Sequence, residues 1–145
     1  MTPEELIKNF SGLNQALQEG LDEVEIGALN FLLGRIKRRV FNDGEDLDGK
    51  SLGGYSKAYA ALRRERGLQD KIKKLQFEGD LAKNTQVGVS EENNVIGYLT
   101  DDDRLKVEDN ERYLNTTIIG VTDEDQLGVD QRMVEGIDRI VLQYI

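Results

Sequence analysis

Residues 2–21 read TPEELIKNFSGLNQALQEGL, and this stretch decides how the fold begins. Thr2 can cap a helix, Pro3 suits the first helical position, and Glu5 completes a capping box with Thr2. The apolar residues that follow recur at steps of three and four, which is typical of one helix face. They are Leu6, Phe10, Leu13, Leu17 and Leu21. The pattern predicts an N-terminal helix that ends near Gly20.

A second start signal lies at Asp22, with Glu25 three residues later. The apolar residues at helical spacing that follow it predict a second helix. They are Ile26, Leu29, Leu32, Leu33, Ile36 and Val40. Its last turns carry a basic cluster of Arg35, Lys37, Arg38 and Arg39. Because cations suit the negative end of the helix dipole, the cluster is interpreted as helix C-terminal chemistry rather than as a phosphate contact.

The segment 42–54 contains two Asp-Gly pairs and four glycines, which predicts a turn-rich, flexible loop or hairpin. A short helix is expected to follow from Ser56 to about Glu65, with Tyr59 and Leu62 facing inward. Gly67 is its end signal.

From about residue 71 the spacing of the apolar residues changes towards the alternation that is typical of strands. Residues 71–77 alternate loosely, residues 85–99 are typical of a hairpin that turns at Asn93-Asn94, and residues 116–121 form a β-branched run. The acidic run 101–103 is interpreted as a break. A last helix is predicted after Thr122, and its inner face carries Val129, Met133, Ile137, Ile140 and Tyr144.

Helices at both ends of a middle antiparallel sheet predict an α+β fold, with N-terminal helices and a C-terminal helix packed on a small sheet. The 145 residues are close to the commonest domain size, so residues 1–145 are predicted to form a single domain. No run approaches 18 apolar residues, and the start lacks the basic and apolar regions of a signal peptide. We therefore expect synthesis in the cytoplasm.

The chain has no cysteine and no histidine. Disulfides, thiolate metal sites and the usual general base are therefore excluded. An enzyme made from this sequence would depend on carboxylates, lysine or tyrosine. We predict that the protein is not an enzyme and has no catalytic, cofactor-binding or metal-binding residues.

Residues 44–51 read GEDLDGKS and match the phosphate-loop pattern G-x-x-x-x-G-K-[ST]. A phosphate loop needs a buried strand before it and a helix that starts at Lys50. Here an amphipathic helix is predicted before the loop, and Glu45, Asp46 and Asp48 would face the phosphates. The match is interpreted as coincidence, and Lys50 is not predicted to bind a nucleotide.

The same acidic residues invite comparison with a calcium-binding loop. If Gly49 takes the sixth loop position, Asp46 and Asp48 fall correctly, but Gly44 and Tyr55 replace two essential ligands. Turn formation therefore explains the acidic residues better.

Other acidic runs and the aromatic residues receive structural interpretations. The runs 101–103 and 123–125 are interpreted as surface residues or caps, because nothing distinguishes an acid from a base within them. Tyr98 and Tyr113 are interpreted as core or interface anchors.

Charge is unevenly distributed along the chain. Residues 1–34 carry −5, residues 35–74 carry +6, and residues 75–145 carry −10, for a total of −9. This pattern suits either ordinary solvated faces or a subunit with one basic and one acidic side. The second arrangement favours head-to-tail contact with a copy of itself, since complementary charge guides association and register.

The chain from about residue 25 onward resembles the neck and tail-completion proteins of tailed bacteriophages. The similar segments, in order, are Arg35 to Gly44, Asp48-Gly49-Lys50, Tyr55-Ser56 with Tyr59, Leu75 to Leu81, and Ile118 to Glu124. Leu75 to Leu81 is similar to a leucine–x–threonine–glycine–aspartate–leucine signature, with Glu78 in place of the more frequent threonine.

The resemblance implies a virion structural protein that forms an oligomeric ring at the head–tail junction, as a neck, tail-completion or tail-terminator protein. It implies no catalysis, other neck, portal or tail proteins as partners, and passive passage of DNA through the ring. The expected location is the virion, after assembly in the bacterial cytoplasm. The alternative is a small acidic regulatory or inhibitory module of a mobile element that binds a host protein.

Overall fold

The computed structural model describes residues 1–75, 80–89 and 94–144. The helices are α1 (Pro3–Lys37), which continues into a π-helix (Arg38–Asp43), then α2 (Lys57–Glu65), α3 (Asp80–Asn84), α4 (Asp101–Leu114) and α5 (Asp123–Val141). The strands are β1 (Thr85–Val89) and β2 (Asn94–Tyr98). The predicted α+β class is confirmed.

The first helix starts as predicted but does not stop at Gly20. The Thr2 hydroxyl accepts a hydrogen bond from the Glu5 amide, and the Glu5 carboxylate accepts one from the Thr2 amide. The two predicted N-terminal helices are one continuous helix. A Cβ at Gly20 would lie 2.7 Å from the Ile140 side chain, so this glycine permits close helix packing and does not end the helix.

Helix α5 packs antiparallel along α1, because early residues of α1 meet late residues of α5. Four glycines lie at the contact, two on each helix. The facing pairs are Gly12 with Tyr144, Gly20 with Ile140, Val24 with Gly136, and Phe31 with Gly128. The predicted start of α5 is confirmed, since the Thr122 hydroxyl accepts from the Asp125 amide in a capping box.

The core lies at the C-terminal end of α1, where the π-helix, α3, α4 and the segment 116–121 meet it. Its buried residues are Leu32, Ile36, Val40, Phe41, Leu52, Leu81, Val107 and Ile118. Val40 and Phe41 are adjacent in the π-helix and both at most 1% exposed. The wider π-helical turn therefore ends α1 inside the core.

The predicted hairpin is confirmed. β1 and β2 pair antiparallel, with Thr85 opposite Tyr98 and Val87 opposite Ile96. Ile96 and Tyr98 pack against the core, and Thr85 is fully buried. Of the predicted turn residues, Asn94 instead begins β2 and pairs with Val89. Asn93 lies outside the described residues, as do residues 76 and 77 of the loosely alternating stretch 71–77.

The acidic run 101–103 was predicted to be a break, but it begins helix α4. The Thr100 hydroxyl accepts from the Asp103 amide and caps α4, and three acidic residues occupy its first turn. Negative charge at this position complements the helix dipole. The run is therefore a helix start.

The prediction of a strand over 116–121 is wrong. The Ile118 and Ile119 amides donate to one oxygen of the Glu111 carboxylate, at 2.8 and 3.2 Å. The Gly120 carbonyl accepts from Arg39. Side chains thus satisfy the backbone groups that a strand would use for pairing.

Helix α2 is confirmed, with Ser56 as its cap and Gly67 at φ +68° just beyond its end. Its orientation differs from the prediction. Tyr59 and Leu62 are more than a third exposed, whereas Arg63 is 3% exposed. The buried face of α2 thus centres on a cation.

Candidate functional site

The loop that matches the phosphate-loop pattern is held by its own aspartate. One oxygen of Asp46 accepts hydrogen bonds from the Asp48 and Lys50 amides, each at 2.9 Å, and the other accepts from the Thr116 hydroxyl at 2.8 Å. The loop follows a π-helix, and residues 50–55 contain no helix. The amides that would bind a phosphate therefore bind the chain's own carboxylate.

This arrangement also fixes the charge of Asp46. Burial alone would raise the pKa of its carboxyl, but the hydrogen bonds from Lys50, Thr116 and Asp48 outweigh burial and lower the pKa. Asp46 and Leu52 are buried, so the middle of the loop is anchored to the core side of the protein. Its predicted flexibility stays a prediction.

Asp125 joins the two long helices at the buried end of α1. Its carboxylate accepts from Arg35 Nε and from an Arg39 terminal nitrogen, both at 3.0 Å. Burial alone would raise the pKa of Asp125, but hydrogen bonds from Arg35, Thr122 and Arg39 lower it. Two members of the predicted basic cluster therefore form a partly buried ion-pair network with Asp125.

Asp103 is the third buried carboxylate of the described residues. It accepts hydrogen bonds from the Thr100 hydroxyl at 2.6 Å and from the Asn84 amide group at 2.8 Å, and both lower its pKa. Asp46, Asp103 and Asp125 each stabilise a turn or a helix start. Within the described ranges no group of three or more acidic side chains is placed to hold a metal ion.

A cleft of about 900 Å³ opens between α2, α4 and the residues Lys73, Leu75 and Leu81. Its described walls carry four cations and three tyrosines, and we call it the cationic cleft. They are Arg63, Arg66, Lys73, Lys106, Tyr55, Tyr59 and Tyr113. No carboxylate is present among the described residues that line it.

Packing against tyrosines orders this cluster. The Arg63 guanidinium lies 4.5 Å from the centroid of the Tyr55 ring, and its Nε donates to the Gln69 carbonyl at 2.6 Å. The Lys73 ammonium lies 5.7 Å from the Tyr113 ring, and burial lowers the pKa of Lys73. Cation–π contacts thus position these two cations at the cleft.

The two predicted tyrosine anchors have different surroundings. Tyr98 packs against the core, and burial, together with Glu111 and Glu108, raises its pKa to about 12. Tyr113 is 83% exposed at the rim of the cationic cleft.

The first turns of α1 extend beyond the end of α5. Gly12 already faces Tyr144, so the residues before it lie past the last turn of α5. Leu6, Ile7 and Phe10 are 44%, 66% and 62% exposed. We call residues 1–10 the α1 overhang. The apolar stripe that forms the core further along α1 is therefore uncovered here.

The outward side of α5 combines acidic and apolar residues. Leu127, Val134 and Leu142 fall at steps of seven and eight, opposite the packed face, and are 59%, 57% and 71% exposed. Five exposed carboxylates lie on the same side, and we call this surface the acidic face of α5. They are Asp123, Glu124, Asp130, Glu135 and Asp138. Arg132 and Arg139 lie on the flanks of the helix, and Arg132 stacks on Phe31.

Comparison of the chain with protein-family models, curated proteins and solved structures finds no match. In the part of the chain that the structure describes, no helix combines the length and the apolar character needed to cross a membrane.

Proposed function

We propose that this chain is a non-enzymatic structural subunit of a tailed-bacteriophage virion that assembles into a ring at the head–tail junction. The α1 overhang carries the proposal. Its apolar residues continue the stripe that is buried further along the helix, yet no element of the described chain covers them. Uncovered apolar surface at a protruding helix end is typical of protein association sites.

The chemistry of the buried groups supports the non-enzymatic part. A protein without histidine or cysteine would need its buried carboxylates for acid–base work. Here the hydrogen bonds of Asp46, Asp103 and Asp125 stabilise local structure, and all three pKa values are lowered. The resemblance of residues 25–145 to phage neck and tail-completion proteins supports the location at the head–tail junction.

One observation favours the second candidate, an acidic module that binds a host protein. The acidic face of α5 gathers five carboxylates on one side of one helix. The α1 overhang favours the ring, because an inhibitor that acts through negative charge has no use for an uncovered apolar helix end.

Light scattering coupled to size exclusion, followed by negative-stain microscopy, tests the proposal. The purified chain is measured alone and mixed with the portal and tail-tube proteins encoded beside it. We expect a closed ring or a ring bound to a neighbouring component. A chain that remains monomeric and joins none of these proteins would contradict the proposal.

A paired variant tests the overhang. Ile7→Ser with Phe10→Ser is expected to reduce assembly while the monomer stays folded. The matched control is Leu99→Ser with Leu105→Ser, because these leucines are also exposed but lie far along the chain from the overhang. Equal loss of assembly in both variants would show that the overhang has no special role.

A further inference from the structure

The apolar stripe of α1 stays uncovered well beyond the α1 overhang. We call its N-terminal half the α1 strip, and its members are Leu6, Phe10, Leu13, Leu17 and Leu21. The first two and the last are 44%, 62% and 41% exposed. Helix α5 packs on the side of α1 that carries Gly12 and Gly20, and it leaves the two middle leucines only half-buried. No element of the described chain covers the rest of the α1 strip.

The middle of the α1 strip carries no charge. Residues 9–18 contain no Asp, Glu, Lys or Arg, in a chain of which 32% is charged. Their polar side chains are all neutral, and they are Asn9, Ser11, Asn14, Gln15 and Gln18. The cores of protein interfaces are depleted of charge in the same way. Two copies with a net charge of −9 each repel one another elsewhere, so this uncharged segment is where a second copy can approach.

The spacing of the α1 strip also suits an identical partner, because it is the same in both directions about its midpoint. Leu6 and Leu21 lie equally far from the point between residues 13 and 14. The same is true of Phe10 and Leu17. When two copies of α1 run antiparallel about this point, each exposed member of one strip lies level with an apolar member of the other. Such a contact uses the same patch on both copies and is closed by a twofold axis.

The α1 strip is large enough for a specific contact. From Leu6 to Leu21 it is about 23 Å long, and α1 with α5 beside it is about 20 Å wide. Two such faces bury on the order of 1,000 Å² in total, which is where specific interfaces begin. Two α1–α5 pairs joined in this way form an antiparallel four-helix bundle, a common mode of helix packing.

We propose that two copies pair across a twofold axis through the N-terminal halves of α1, which run antiparallel. Phe10 of each copy packs on Leu17 of the second copy, and Leu6 of each packs on Leu21 of the second copy. The pair goes beyond the proposed ring, because a twofold contact is complete with two copies and needs other surfaces to form a larger assembly. It shares with the proposed function only the use of the α1 overhang in association.

Replacement of Leu21 tests the pair, because this residue lies outside the α1 overhang. Sedimentation velocity of the purified chain over a range of concentrations is expected to show a reversible dimer. Leu21→Gln should raise the dimer dissociation constant at least about tenfold, since one apolar contact is lost in each half of the interface. Thermal melting checks folding, and if this variant unfolds, Phe10→Gln replaces it with the same expected result.

Leu105→Gln is the matched control, because this leucine of α4 is 45% exposed and lies outside the α1 strip. We expect its dissociation constant to stay within about twofold of the original. No effect of Leu21→Gln, or an equal effect of both variants, would overturn the pair.

Single cysteines report the orientation of the two helices, because the chain contains no other cysteine. Asn14→Cys lies near the proposed axis and is expected to cross-link to itself through a short bismaleimide. Glu4→Cys should cross-link to Asp22→Cys in a mixture of the two variants but not to itself, since antiparallel helices bring opposite ends together. Efficient self-cross-linking of Glu4→Cys would indicate parallel helices and overturn the proposed arrangement.

The outcomes separate this proposal from the proposed function. A chain that pairs but forms no ring and joins no virion component overturns the ring and leaves the pair. A ring that forms without any dimer, and that Leu21→Gln does not weaken, overturns the pair and leaves the ring. A chain that stays monomeric and joins no virion component overturns both.

Discussion

The two ends of α1 carry the same kind of apolar stripe but have different surroundings. At the C-terminal end, Leu32, Leu33 and Ile36 are at most 9% exposed, and Arg35 and Arg39 are tied to Asp125. At the N-terminal end, Ile7 and Phe10 are more than 60% exposed. Periodicity therefore predicts where a helix is amphipathic, but not whether its apolar face is covered within the same chain. We expect one end to stabilise the subunit and the other to join subunits.

The largest difference in stability should appear when two phenylalanines, one at each end of α1, are replaced by alanine. Phe41 is 1% exposed at the buried end, so Phe41→Ala leaves a cavity in the core. We expect it to lower the free energy of unfolding by about 3–5 kcal/mol, measured by urea denaturation of the monomer.

Phe10→Ala is the matched control, because the same atoms are removed from a side chain that is 62% exposed. We expect a change of at most about 0.5 kcal/mol. Similar losses in the two variants would mean that the overhang is covered within the monomer, and the contrast between the ends of α1 would disappear.

The ion-pair network should give the next largest effect. Asp125→Ala leaves the Arg39 side chain, 11% exposed, without its carboxylate. Removing one partner of a buried ion pair is strongly destabilising, but the partial exposure of Arg35 reduces the effect. We therefore expect the free energy of unfolding to fall by about 2–4 kcal/mol.

Asp123→Ala controls for this change, because it removes an exposed carboxylate from the same turn of α5. We expect a loss of no more than about 1 kcal/mol from the helix dipole. Comparable denaturation midpoints for the two variants would rule out the network as a main link between α1 and α5.

Acid should weaken the same end of the molecule. Asp46, Asp103 and Asp125 have lowered pKa values in the folded chain, so the unfolded chain binds more protons as the pH falls. Their contribution is complete above the ordinary aspartate pKa of about 3.9 and is lost as the pH falls below it towards the lowered values.

We expect urea midpoints that change little between pH 7 and 5 on account of these groups and then decrease below about pH 4. Asp125→Asn should show a shallower acid decrease than the original chain. An identical decrease of the urea midpoint with pH in both chains would mean that Asp125 has the same pKa in the folded and unfolded chains.

Local signals predicted the starts of α1, α2 and α5 and the hairpin. Thr2 with Glu5 and Thr122 with Asp125 are caps that a few residues determine by themselves. Thr100 with Asp103 has the same spacing and starts α4, so this helix could have been found. The acidic run 101–103 resembles a break in the sequence, although it occupies the favourable first turn of α4.

Tertiary contacts determined what the sequence could not show. Gly20 resembles a helix end until Ile140 is seen packing on it, and residues 116–121 resemble a strand until Glu111 is seen binding their amides. The cationic cleft had only a partial signal, the +6 net charge of residues 35–74. Lys106 and Tyr113 reach it from α4, a helix that the sequence patterns did not predict.

Between the two ends of α1, the close packing of α5 on this helix can be tested at the glycine contacts. A Cβ on Gly136 would lie 2.5 Å from a methyl carbon of Val24, so Gly136→Ala should force the helices apart. The gain in helix propensity offsets part of the strain, and we expect a net loss of about 1 kcal/mol.

Gly27→Ala is its control, since nothing lies within 4 Å of a Cβ at that position. It should raise stability by up to about 1 kcal/mol through helix propensity alone. A lower melting temperature for Gly136→Ala and a higher one for Gly27→Ala would place the close contact at Gly136. A higher melting temperature for both variants would mean that α5 packs less tightly on α1.

The smallest effect on the isolated subunit should come from the overhang itself. Ile7→Ser with Phe10→Ser removes apolar side chains that are 66% and 62% exposed and make few contacts to lose. We expect a change of about 0.5 kcal/mol or less in the free energy of unfolding, measured at a concentration where the chain is monomeric. The same variant should assemble poorly at higher concentration, because the area that it fails to bury lies between molecules. A strongly destabilised monomer would place the function of these side chains within the subunit, and the two ends of α1 would then differ only in degree.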